Sequence, residues 1–229
     1  VLYTRDGRYN IIGELNCSTI AEVQDRFTDT TAQPEDADDQ ILRRFRIAIS
    51  VTGEYTAYHG GAVVDAMAAI NASMTRVNAI FETDMSVTFE VIANNQDVIF
   101  TNANTDPYSP SASGLDDHPT YGGSPWFATN WNVELQETLR DDIGEANYDI
   151  GHLFGAAGGG GNAGCIGCVC DTDFPQGKGS GYTSPADGIP EGDTFDVDYV
   201  AHEIGHQMGA NHTWAFNTEG TGVNAEPGS

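Results

Sequence analysis

Residues 202–212 read His-Glu-Ile-Gly-His-Gln-Met-Gly-Ala-Asn-His, three imidazoles and a carboxylate in one short run. On a helix, His202 and His206 stand four residues apart, one above the other, and both can reach one metal ion at about 2.0–2.1 Å. Gly209 can take a left-handed conformation that stops the helix and turns the chain, so that His212 swings back as a third ligand. Three nitrogen ligands leave one corner of a tetrahedral zinc ion open to water, which marks a catalytic rather than a structural site. Glu203 projects beside His206 on the helical wheel, placed to touch that water rather than the metal. Its role is then that of general base: it takes the proton of the water that attacks a polarised carbonyl and returns it to the leaving amine. Peptide hydrolysis is the reaction this set suits. At this chain's histidine content the His-Glu-x-x-His core arises by accident in about one chain in a hundred of this length, and Gly209 with His212 lowers that by about three orders of magnitude.

The helix carrying these residues is predicted to run from Asp193 or Thr194, either of which can cap it, to about Gly209. Asp196 and Asp198 lie in its first turn, at the positive end of the helix dipole. Val197, Val200, Ala201, Ile204 and Met208 share one sector of the wheel and are expected in the core, with His202 and His206 on the opposite side. Upstream, Arg46 to Val51 alternates and reads as a strand. Gly60-Gly61 then precedes a long helix with Val63, Met67, Ile70, Met74, Val77 and Phe81 on one stripe. Val87, Phe89 and Val91 mark a second strand, and 97–100 a short third one after the Asn94-Asn95 turn. Residues 101–130 carry four prolines and many small polar residues, predicting a long surface excursion. Leu135, Leu139 and Ile143 form a helix face; Tyr148, Ile150 and His152 alternate as a strand, with His152 facing solvent or a neighbour rather than a metal. Residues 155–164 lack the Lys-Ser/Thr pair of a phosphate loop and are expected as a flexible or close-packed loop beside the site. His59 and His118 read as ordinary surface residues.

Composition narrows the partners. Thirty-four acidic against nine basic residues give a formal charge of −25, which repels phosphate backbones and anionic lipid surfaces, so no nucleic acid and no membrane are expected as partners. Most of this acid reads as a solvated surface. Calcium is a second candidate cation, though no Asp-x-Asp-x-Asp-Gly loop locates it. The chain starts at Val1 without a basic-then-apolar leader, as expected of a mature chain from which any signal peptide has gone. Cys17, Cys165, Cys168 and Cys170 allow three pairings if all are oxidised, and they favour a secreted, extracellular setting. A thiolate zinc site at Cys165-x-x-Cys168-x-Cys170 lacks a nearby fourth ligand. Cys17 reads as a disulfide cysteine ahead of a latency thiolate.

His202-Glu203-x-x-His206-x-x-Gly209-x-x-His212 resembles the metzincin signature. The order of elements over about residues 41–229 resembles the reprolysin (adamalysin) branch, including its bacterial secreted members. Supporting stretches are Ile47–Tyr55 followed by Gly60-Gly61, Tyr148 to Phe154, and Phe195 to Val200. The resemblance implies an α/β (α+β) fold: a twisted mixed sheet with two long helices, the active-site helix and a horizontal cleft. It also implies an edge strand that pairs with extended substrate, expected from residues after Gly164. It assigns His202, His206 and His212 as zinc ligands and Glu203 as base. Metzincins carry a methionine turn downstream of the third histidine, whereas no Met follows Met208 here, and 224–229 resembles the approach to that turn. The expectation is therefore an N-terminal arm, linker or propeptide remnant at 1–40 and a catalytic domain at 41–229 whose lower subdomain is incomplete. A C-terminal fragment of the same precursor would supply the rest as a partner. The expected function is a zinc-dependent endopeptidase acting on protein or peptide. The alternative is a zinc-binding adhesion or interaction module without catalysis, against which the intact Glu203 argues.

Overall fold

The computed structural model of the protein describes residues 41–112, 129–173 and 175–212. The arm at 1–40, Cys17, His118 and residues 224–229 lie outside them. Five strands form one mixed sheet: β1 (Arg43–Val51), β2 (Val87–Val91), β3 (Ile150–Phe154), β4 (Gly160–Asn162) and β5 (Gly181–Ser184). Their spatial order is β2-β1-β3-β5-β4, with β4 antiparallel to β5 and the other pairs parallel. The α-helices among the described residues are α1 (Gly53–Tyr58), α2 (Val63–Met85), α3 (Asn130–Thr138) and α4 (Ala201–Gln207), accompanied by short 3-10 and π-helical stretches.

The second half of β1, from Ile47 to Val51, and all of β3 are buried on both faces, which is why hydrophobic alternation understates them. Ile47, Ile49 and Val51 join Ala66, Ile70, Met74, Val77 and Phe81 of α2, together with Phe195, Val200 and Ile204 around α4, in one core. Ala48 and Leu153 belong to a second core with Trp131, Leu135, Leu139 and Tyr182. The stripe expected on the long helix is borne out: Ile70, Met74, Val77 and Phe81 are buried, and Val63 and Met67 pack on the edge of that core. At the start of the central pair, Asp149 accepts from the Arg46 backbone at 2.7 Å and from its guanidinium. These bonds with Arg46 hold the Asp149 carboxyl below its ordinary pKa.

Four local expectations need correction. The strand expected at 97–100 is reduced to a 3-10 turn, Asn95–Val98, followed by a single parallel bridge from Ile99 to Val51. The Asn95 side chain takes its place, accepting from the Ile49 N–H and donating to the Ile49 carbonyl, both at 2.8 Å, so an amide occupies the hydrogen-bonding positions a strand would fill. The edge strand expected after Gly164 lies before it, as β4, within the glycine run. Neither Asp193 nor Thr194 caps the site helix with its side chain; Asp193 pairs with Arg76 of α2 instead. That helix begins as a wider, π-helical stretch, Thr194–Val200, before tightening into α4. The wider winding turns Val197 out to 37% exposure, while Phe195 and Tyr199 are buried in the same stretch.

Candidate metal centre

The π-helical stretch and α4 form one continuous rod that carries His202, Glu203 and His206. The rod ends in a Schellman motif: Gly209, at φ +110°, donates its N–H to the His206 carbonyl and Ala210 donates to that of Gly205, both at 2.9 Å. Only a residue without Cβ adopts that backbone cheaply, so Gly209 ends the helix as its position in the sequence implied. The reversed chain brings the Ala210 carbonyl 2.6 Å from His206 Nδ1 and sets His212 back over the helix.

Three ring nitrogens converge there. His206 Nε2 lies 3.0 Å from His202 Nε2 and 3.1 Å from His212 Nε2. Nitrogens each about 2.05 Å from one tetrahedral ion stand about 3.3 Å apart, so both pairs are close to ligation spacing, and the ligand atoms of all three histidines lie within 4.8 Å of one another. With its Nδ1–H given to Ala210, neutral His206 presents a lone pair at Nε2. Burial lowers the pKa of all three imidazoles, that of His212 to about 4, and neighbouring imidazoles lower His202 and His212 further. Neutral imidazole is the form that binds a metal. Three lone pairs directed at one point repel until a cation joins them, so the donor set fits zinc. Among the described residues no fourth His, Cys, Asp or Glu joins the trio, and no other group of three or more such donors could share an ion.

Glu203 follows His202 and is completely buried. Its side chain lies against the backbone of β4: a Cβ placed on Gly161 would stand 2.6 Å from Glu203 Cγ and Cδ, and nearer still to Oε1. The expected close approach by the glycine stretch is thus made at Gly161. On the far side of the helix end, the Gly167 N–H donates to the His206 carbonyl at 3.0 Å from a loop closed by a Cys165–Cys168 disulfide. That bond removes the thiolate alternative for these two cysteines; Cys170 is exposed and is a free thiol among the described residues.

Two readings of single histidines are sharpened. His59 is no plain surface residue, since its ring packs 4.5 Å from that of Tyr55 and Nε2 lies 3.2 Å from the Pro190 carbonyl. His152 faces a neighbour rather than solvent: it is fully buried in β3, with Nδ1 2.8 Å from Gln207 Oε1 and Nε2 2.8 Å from Thr183 Oγ1. Neither Gly161 nor Gln207 was singled out by sequence reasoning. Gly161 carried only the weak signal of a glycine run, and Gln207 sits one residue past His206 with nothing to mark its direction.

A mixed sheet backing a helix whose two imidazoles meet a third from the chain just beyond its end defines a zinc-dependent metallopeptidase. Residues 42–229 match the model of the metallo-peptidase family M12B, reprolysin-like, and the chain belongs to that family. It is a zinc metalloendopeptidase, and its substrates are accordingly proteins or peptides. No curated protein matches the chain. No helix among the described residues is long and apolar enough to cross a membrane.

Proposed function

We propose that His202, His206 and His212 hold one zinc ion through Nε2 and that Glu203 is the general base of peptide-bond hydrolysis. The observation that carries this reading is the convergence of three Nε2 atoms while His206 Nδ1 is engaged by the Ala210 carbonyl. When bound, zinc supplies Lewis acidity that polarises the scissile carbonyl and brings the pKa of water down to about 7. Glu203 takes the proton of the attacking water, the new C–O bond forms, and the same carboxyl protonates the amine as the C–N bond breaks. Seated on Gly161, it reaches this proton from the direction of β4. The outer side of β4, the last strand in the sheet order, is the place for an extended substrate, added as an antiparallel strand.

The catalytic unit in this reading is residues 41–229, with 1–40 as an arm outside it; the family match beginning at residue 42 supports that division. Secretion is supported by the Cys165–Cys168 disulfide, which persists in oxidising surroundings.

The test compares hydrolysis of casein and of a quenched fluorescent peptide by wild type and Glu203→Gln, each with its zinc content measured. Glu203→Gln is expected to retain one zinc per chain and to lose about 10²–10⁴ in kcat. His206→Ala is expected to lose the metal as well. Equal rates for wild type and Glu203→Gln would reject the base and return the chain to the non-catalytic zinc-binding alternative.

A further inference from the structure

Beside the ligand trio runs a buried polar chain that zinc binding does not require. Gln207 donates from Nε2 to the Gly151 carbonyl at 2.9 Å, so its Oε1 is the atom facing His152 Nδ1 at 2.8 Å. An amide oxygen only accepts, and the proton therefore sits on Nδ1 of His152. Nε2 is then an acceptor and takes the hydroxyl proton of Thr183, 2.8 Å away. One proton assignment satisfies Gly151, Gln207, His152 and Thr183 together, and all three side chains are fully buried.

This chain joins the helix to the sheet at sensitive points. Gln207 follows the ligand His206 directly, and its amide lies on the backbone of β5, where a Cβ on Gly181 would be 2.5 Å from Gln207 Cδ. Thr183 is the β5 residue paired with Gly161 of β4, the seat of Glu203. Apolar packing is non-directional and would fill the same space without fixing how far the helix slides or rotates. Two hydrogen bonds on opposite sides of one rigid ring fix both.

We propose that His152 is a positioning residue for catalysis: through Gln207 it sets the axial and rotational register of α4 against β3 and β5, and so places the ligands and Glu203 relative to β4. It touches neither metal nor substrate. The inference rests on the ligand and base assignment above.

The test uses the full chain with His152→Phe, which keeps a ring and loses both bonds, Gln207→Leu, the double variant, and His152→Gln, whose amide again offers one donor and one acceptor. The readouts are kcat and KM on a peptide substrate, thermal midpoint, and the visible absorption spectrum of the cobalt(II)-exchanged protein. His152→Phe is expected to lower kcat about 10–100-fold with KM changed less than about twofold, because a misplacement of about 1 Å is enough for such a loss. Its cobalt bands are expected to shift. The double variant should be no worse than the poorer single one, since both cut the same chain, and His152→Gln should recover most of kcat. A folded His152→Phe with wild-type kcat and cobalt spectrum, altered only in thermal midpoint, overturns the proposal. If His152→Phe does not fold, Thr183→Val and Thr183→Ser decide by the same criteria. A lower kcat in Val restored by Ser supports it, and an unchanged kcat in Val overturns it. Failure of the underlying assignment shows separately, as full activity in Glu203→Gln whatever the cobalt spectra of the His152 set.

Discussion

Replacing Gly161 by alanine adds one methyl group at the seat of Glu203. The new Cβ would stand 2.6 Å from Glu203 Cγ and Cδ, where ordinary contact begins at 3.4 Å, so the side chain must retreat by about 1 Å. Gly161 does not sit at positive φ, and its backbone therefore accepts alanine; the perturbation is steric and local. A base misplaced by about 1 Å costs on the order of 10² in rate, or about 2.7 kcal/mol of transition-state stabilisation. The loss is expected in kcat, with zinc content unchanged. Thermal unfolding separates this from general damage, because alanine restricts the unfolded chain by about 0.4–1 kcal/mol in favour of folding and offsets part of the overlap. Gly205→Ala is the matched control: it lies in α4 between the two helical histidines, a Cβ there meets nothing within 4 Å, and activity should survive. Wild-type kcat in a folded, zinc-loaded Gly161→Ala would refute the idea that Glu203 works from its seat on β4.

Two further outcomes follow from other contacts. Burial holds the His152 pKa down to about 4, whereas the unfolded chain titrates near 6.5; between these values the unfolded state binds the extra proton, so stability is present above about pH 6.5 and falls as pH drops toward 4. The loss from this group is about 3 kcal/mol at pH 4, and urea melts at pH 7 and pH 4 should show His152→Gln losing less by that amount; parallel losses would contradict it. Replacing Cys165 and Cys168 together by serine opens a four-residue loop, which should cost about 2 kcal/mol by loop entropy and speed zinc release as the Gly167 bond to His206 loosens; an unchanged thermal midpoint and release rate would show that the loop does not support the helix end.

The convergence of the three histidines was readable because everything that brings them together is local. Helical spacing aligns His202 with His206, and one glycine turn returns His212. Core stripes were readable for the same reason, since periodicity reports a face without naming its partner. Val197 was misplaced because the wheel assumes one winding, and the π-helical stretch ahead of α4 breaks that assumption. The 97–100 region failed differently: the Asn95 side chain reproduces a strand's hydrogen bonds, and no pattern of hydropathy encodes that substitution. Gly161 and His152 lie some forty and fifty residues before the helix they contact, and nothing in their own neighbourhoods names it.

Those distant contacts share a physical cause. Around the rod that carries His202 and His206, Gly161 meets Glu203, Gly181 meets Gln207, and Gly167 faces Gly209, with a Cβ on Gly167 reaching 3.6 Å from the Gly209 Cα. On the side of the β4–β5 hairpin and the disulfide loop, the helix is therefore seated on backbone rather than on side chains. A side chain can change rotamer and let a neighbour drift, whereas a strand backbone is held by its ladder and gives way only if the sheet does. Close backbone seating limits the helix in one direction, and the His152 chain limits the sliding and rotation that seating leaves open. Glycines that carry no chemistry thus hold chemical groups to tolerances on which the rate depends.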